Sequence, residues 1–122
     1  MVLWRDSVAA GDDVDAPHEV VLKLGATATV GELCSQVSKV NYLPAIAGGR
    51  ATWILQGTSP LAVLAQQWPS PRFIAARESF LSALARSEGK PQFELLYWCQ
   101  ADPELVHHNL CHDLPLPDKY RP

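Results

Sequence analysis

The sequence predicts an α+β fold, a mixed β-sheet packed on one central helix, with elements in the order ββαββαβ. Three observations carry this expectation. Short runs rich in β-branched and aromatic residues alternate in polarity with the period of a strand; a capped amphipathic segment with the period of a helix stands between the second and third runs; a second such segment follows the fourth. With 122 residues, 48% of them hydrophobic, the chain has the length and apolar mass of one ordinary domain.

The runs VLWRDS (2–7) and HEVVLKL (18–24) are separated by VAAGDDVDAP, whose glycine, aspartates and proline do not continue a strand, so a hairpin with a long loop is expected. In the second run Val20, Leu22 and Leu24 share one face, and Glu19, Val21 and Lys23 the other. Thr29 followed by Glu32 forms a capping box, which satisfies backbone N–H groups that a helix start leaves without partners. Leu33, Val37 and Val40, with Cys34 and Tyr42 alongside, then recur at helical spacing until Pro44.

After a turn at AIAGGR, the run ATWILQG (51–57) is expected to be a strand buried on both faces, central to the sheet. PLAVLAQQW (60–68) is compatible with a helix, since Ser59 and Pro60 could cap one, but a strand joined by the GTSP loop is favoured. Ser70 and Pro71 resemble an N-cap and first helical position, and Phe73, Ala76, Phe80 and Leu84 follow at helical spacing up to Gly89, which predicts a second helix. PQFELLYWCQ (91–100) is the last strand, with Phe93, Leu95, Tyr97 and Cys99 on one face and Glu94, Leu96 and Trp98 on the other. The expected division is one α+β domain over residues 1–101, with a short helix started by Asp102 and Pro103 and a proline-rich tail over 102–122 packed on it or trailing from it.

This order of elements resembles the ubiquitin-like β-grasp fold, in which a mixed sheet wraps one long helix. ATVGEL looks like the capped start of that family's central helix, and TWILQG like its third strand with a closing glycine; the likeness covers most of residues 2–99. Conjugated modifiers and sulfur carriers of this fold end in an exposed glycine pair, whereas this sequence closes on DKYRP and carries its pair, Gly48 and Gly49, internally. The resemblance therefore implies the fold without that activity.

A formal net charge of −3, with neither sign gathered into long blocks, gives no footprint for a polyanion, so nucleic acid is not an expected partner. No stretch approaches the roughly 20 apolar residues that cross a bilayer, and no export signal opens the sequence, so neither a membrane nor secretion is expected. Three cysteines, Cys34, Cys99 and Cys111, form no disulfide framework and fit reduced thiols in a cytoplasm.

The densest chemical cluster is HHNLCH (107–112). On a helix His108 and His112 share one face while His107 aligns with Cys111, so the two pairs look in different directions and no tetrahedral set forms on one side. His108 is followed by Asn109, where a helical zinc protease would need a glutamate base. Histidines at a helix C-terminus also favour its dipole. The expectation is no cofactor and no metal, with His107, His108, Cys111 and His112 the candidate ligands should one be held. Asp12, Asp13 and Asp15 in the hairpin loop lack the pattern of a calcium loop and read first as a solvated loop; should the loop act, it is expected to present an acidic tip to a basic partner. The AGGR turn lacks the residues that follow a phosphate loop, and no nucleophile elbow is present.

Trp68 and Trp98 fall opposite the face that the first helix is expected to cover. They either pack under further helical structure or form an aromatic patch of the kind in which interface energy concentrates. The function expected is a non-catalytic cytoplasmic module, a small neutralising or adaptor protein that binds a protein partner or itself through a sheet face or edge. The rival is a small-ligand-binding protein or metal-dependent enzyme using HHNLCH.

Overall fold

The computed structural model describes residues 2–6, 19–39, 43, 49–86 and 91–118. Six strands form one sheet: β1 (Val2–Arg5), β2 (Glu19–Val21), β3 (Thr52–Gln56), β4 (Pro60–Ala65), β5 (Arg72–Phe73) and β6 (Phe93–Tyr97). They lie in the order β2-β1-β6-β3-β4-β5, with β1 and β6 parallel and every other neighbouring pair antiparallel. Helices α1 (Val30–Lys39) and α2 (Pro103–Cys111) and a short 3₁₀ turn (Leu81–Ala83) complete a mixed α+β architecture.

The alternation read in the sequence is the alternation of burial. Leu3, Leu22, Trp53, Leu55, Phe93 and Leu95 enter one core with the inner stripe of α1, Val30, Leu33, Cys34 and Val37. Val21 and Lys23 are exposed on the other side. β3 lies between β6 and β4, and Thr52 to Leu55 are all buried, as expected for a central strand. Arg5 is also fully buried on this side, its Nη1 donating to the Asp6 carbonyl at 3.2 Å. Asp6 in turn accepts the Tyr97 N–H on Oδ2 at 3.0 Å, tying the end of β1 to the end of β6.

The start of α1 follows the expected cap. The Glu32 N–H donates to Thr29 Oγ1 at 3.3 Å, and Glu32 Oε1 lies 3.4 Å from the same hydroxyl. The remaining N-terminal amides find partners in a segment that the sequence reading places in a helix. Val30 N–H donates to the Ser79 carbonyl and Gly31 N–H to the Arg77 carbonyl, while Leu81 N–H donates to Ala28 and Thr58 N–H to Leu84.

This corrects the second helix expected after β4. Residues 72–73 form an edge strand, Thr29 and Phe80 make an isolated bridge, and the 3₁₀ turn follows. The physical reason is competition for carbonyls: an α-helix would consume internally the groups that here cap α1 and hold the β3–β4 loop. Leu81 is the residue this segment buries, whereas Phe80 is 54% exposed. Gly89, the expected stop, lies outside the described residues.

The ambiguous run 60–68 is a strand only as far as Ala65, followed by a turn. A register shift opposite Leu55 and Gln56 lets both Leu61 and Ala62 enter the first core. The Leu61 carbonyl accepts from both Ile74 and Ala75 N–H. Gly57 closes the β3 end, where an added Cβ would stand 2.3 Å from the Leu84 carbonyl oxygen, so no larger residue fits without moving backbone.

Candidate functional site

The second face of the sheet is the side away from α1, and strand alternation decides what reaches it. Val2 pairs with Val21 across β1 and β2; Trp4 and Gln56 both pair with Glu94; Ile54 pairs with Leu96 and with Val63. Three rows result. The row at one end is apolar and belongs to β1 and β2, the middle row carries Trp4, Glu94 and Gln56, and the row at the other end is apolar again.

The far row is closed by the chain itself. Ile54, Val63, Ala101 and Val106 form a second buried cluster, with Trp68, Ile74, Leu96, Trp98, Leu110 and Leu116 packed around it. Thr52 places the helix that covers it. Its buried hydroxyl donates to the Ala101 carbonyl at 2.6 Å, its N–H donates to the Cys99 carbonyl, and its carbonyl accepts from Trp98 N–H. The chain turns there through Cys99, at φ 53, and enters α2 at Asp102, whose carboxylate accepts the Glu104 N–H at 3.0 Å ahead of Pro103 in the first turn.

HHNLCH finishes this helix as the spacing predicts. His108 and His112 lie with ring centroids 4.4 Å apart, while Cys111 Sγ is 3.6 Å from His107 Nε2. His107 is turned inward, Nε2 lying 3.1 Å from the Phe73 carbonyl oxygen, and so links α2 to β5. The two pairs therefore point apart, and among the described residues no group of three or more His, Cys, Asp or Glu converges as a metal site. His112 is the C-cap, and Asp113 at φ 55 turns the chain out of the helix.

Trp68 and Trp98 are both half-buried at the rim of the second cluster. The Arg72 guanidinium stacks 4.3 Å above the Trp68 ring and reaches Glu104 of α2 at 3.6 Å. Trp98 donates its indole N–H to the Pro117 carbonyl at 2.9 Å, so its polar tip is engaged by the tail. Asp12, Asp13 and Asp15 lie outside the described residues.

The near row is different. Val21 is 65% exposed on strand β2, which among the described residues pairs with β1 alone, and Val2 and Trp4 beside it are half-buried. Between the rows, Arg86 holds Glu94 at 2.6 Å and also donates Nε–H to the Gly57 carbonyl at 2.9 Å. A cleft of about 440 Å³ opens elsewhere, beside α1, lined by Thr29, Glu32, Ser35, Lys39 and Arg77 among others. It is remote in sequence and in the fold from HHNLCH, so the histidines do not stand at its mouth.

The faces of β6 are legible in the sequence, whereas Thr52 as the residue that places α2 is not, nor is the near row as distinct from the far one. Parity alone could have put Thr52 on the face of Ile54 and Gln56; its burial needed the partner carbonyl. Among the described residues no helix is long and apolar enough to cross a membrane. In comparison with known proteins, no family model, no curated sequence and no solved structure matches this chain.

Proposed function

We propose that this chain is a non-catalytic protein–protein interaction module of the cytoplasm, a small neutralising or adaptor partner built on a β-grasp-like sheet. The parallel pairing of β1 with β6 at the centre, flanked by β2 on one side and β3–β4 on the other with α1 across one face, supports that architecture. The single observation that carries the role is the β1–β2 end of the second face. There Val21 is exposed on the strand that ends the sheet among the described residues, with Val2 and Trp4 half-buried next to it.

An edge strand offers backbone donors and acceptors to an incoming strand, and the adjacent apolar side chains supply contact area and selectivity. β1–β2 also lies at the opposite edge of the sheet from β5, so α2 and the groups that anchor it do not obstruct an approach there. The divided histidine and cysteine pairs support the same reading over a metal-dependent reaction, because chemistry needs convergent groups.

The test is capture of the partner from the native host with the intact chain as bait, then measurement of its affinity with purified components. Val21→Lys places a charge on the edge and is expected to weaken binding at least tenfold, while Phe80→Ser, on the exposed bridge beside α1, leaves it unchanged. Equal affinity for Val21→Lys and the native chain would refute the assignment, as would loss of binding in Phe80→Ser alone.

A further inference from the structure

The strand at the β1–β2 end carries an outward pattern that is complementary to itself. On β1 the Asp6 N–H donates to the Leu95 carbonyl and the Val2 N–H to Gln92 Oε1, both towards β6. Backbone groups of successive strand residues alternate between the two neighbours, so Leu3, which pairs with Val20, turns its own towards β2. Val20 therefore bonds inward, and the N–H and C=O of Glu19 and Val21 point away from the sheet. The alternation continues past the ladder: Leu22 is buried, Lys23 is exposed and Leu24 packs against the core beneath α1. Glu19, Val21 and Lys23 thus hold the outward register positions of the strand that ends the sheet among the described residues.

An antiparallel partner must set its own outward positions against these. For a second copy of the chain, a two-fold axis at Val21 places Val21 opposite itself and Glu19 opposite Lys23, at both ends of the contact. An axis one residue earlier sets Lys23 against Pro17, which has no N–H to give, and an axis one residue later sets Lys23 against Val21 and Glu19 against Gly25. Opposite charges facing each other across strands stabilise a pair and like charges oppose it, so the charges select the axis at Val21. That axis also extends the near row. Val2 already pairs with Val21, and Val21 would meet its counterpart, so Val2 and Val21 of both copies make one continuous apolar row that covers a side chain now 65% exposed. A lysine on an edge strand ordinarily deters pairing by another strand, whereas here Lys23 is matched.

Building on the reading of the β1–β2 end as the contact surface, we propose that its partner is a second copy of this chain, which pairs β2 with β2 antiparallel about a two-fold axis at Val21. The contact is isologous, the same residues serving on both sides, and it joins the two sheets into one. Backbone hydrogen bonds of Glu19, Val21 and Lys23 hold the strands together, the valine row supplies apolar contact, and the matched charges fix the register.

The test is the mass of the intact chain in solution, followed by sedimentation over a concentration series up to about 0.5 mM, where a weak contact is populated. The mass is expected to rise to that of two chains, with the Val21 and Lys23 amides gaining hydrogen-exchange protection as it does. Glu19→Lys and Lys23→Glu each set like charges opposite one another at both ends of the contact and should weaken the dimer about tenfold or more. Mixed in equal amounts, these variants regain opposite charges and should form a heterodimer with the affinity of the native dimer, which also shows that each is folded. A native chain that stays monomeric throughout would overturn the proposal, and so would charge variants that dimerise as well as the native chain or fail to pair with each other. A monomeric chain whose host partner is still lost on Val21→Lys overturns self-pairing and leaves the contact surface standing, whereas a monomeric chain indifferent to Val21→Lys overturns both.

Discussion

The two faces of the sheet are closed by different means. Under α1, among the described residues, fifteen buried side chains form one continuous core, and Trp53 lies 1% exposed against Tyr97 with ring centroids 4.7 Å apart. Under α2 the buried cluster has four members, and individual polar contacts do the positioning: Thr52 to Ala101, His107 to Phe73, Asn109 and Trp98 to the tail. Burial stabilises roughly in proportion to apolar area, so the first face sets the stability of the whole, while the second is the part able to open by itself.

The largest effect should come from breaking the first face. Trp53→Ala removes the largest fully buried side chain among the described residues and is expected to cost about 3–5 kcal/mol, read as a lowered denaturant midpoint for the entire chain. Thr52→Val keeps the volume but leaves the Ala101 carbonyl without its donor in a buried site, at a cost of about 1–3 kcal/mol. Its signature is regional: amides of α2 should lose hydrogen-exchange protection more than those of β3 and β6. A uniform loss would show that the two faces are not independently closed.

The pH dependence sharpens the same contrast. Burial pushes the Cys34 thiol up to about 12, the Arg77 charge offsetting part of the rise, against 9.0 for the free group. Above pH 9 the unfolded chain ionises this thiol while the folded chain keeps it protonated, so the unfolded state binds fewer protons and stability falls as pH rises towards 12. The contribution is complete below pH 9. Its slope is at most about 1.4 kcal/mol per pH unit, measured as the difference between the native chain and Cys34→Ala in denaturant titrations from pH 8 to 10.5. Identical slopes would mean that water reaches the α1 face. The smallest effect expected is that of Asp102→Ala, about 1 kcal/mol from loss of the α2 cap, again concentrated in α2.

What could be read in the sequence followed the strength of local signals. β3 carries an unbroken apolar run, α1 a capping box and α2 an Asp-Pro start, and these elements form there; the period-two runs 18–24 and 91–100 contain β2 and β6 but only over Glu19–Val21 and Phe93–Tyr97, with Cys99, expected on a strand face, in a turn at φ 53. Residues 70–86 misled because Phe73, Ala76, Phe80 and Leu84 keep helical spacing although their backbone is committed to other elements. No periodicity in the segment reveals that its carbonyls cap α1. The alternative for Trp98, an open aromatic patch or a ring packed under later structure, needed the Pro117 carbonyl, a partner nineteen residues away that composition does not reveal. The near row at Val2 and Val21, beside Trp4 of the middle row, was legible residue by residue but not as a row, because strand order was missing.

Native-state hydrogen exchange on the intact chain gives the sharpest check on the difference between the faces. Amides of Val106, His112 and Leu114 should exchange through a local opening whose free energy lies below that of global unfolding and varies little with denaturant, whereas those of Ile54 and Leu95 should exchange only as the molecule unfolds. If all of them merge into one isotherm at the global free energy, the two faces open together, and the second is no separable surface.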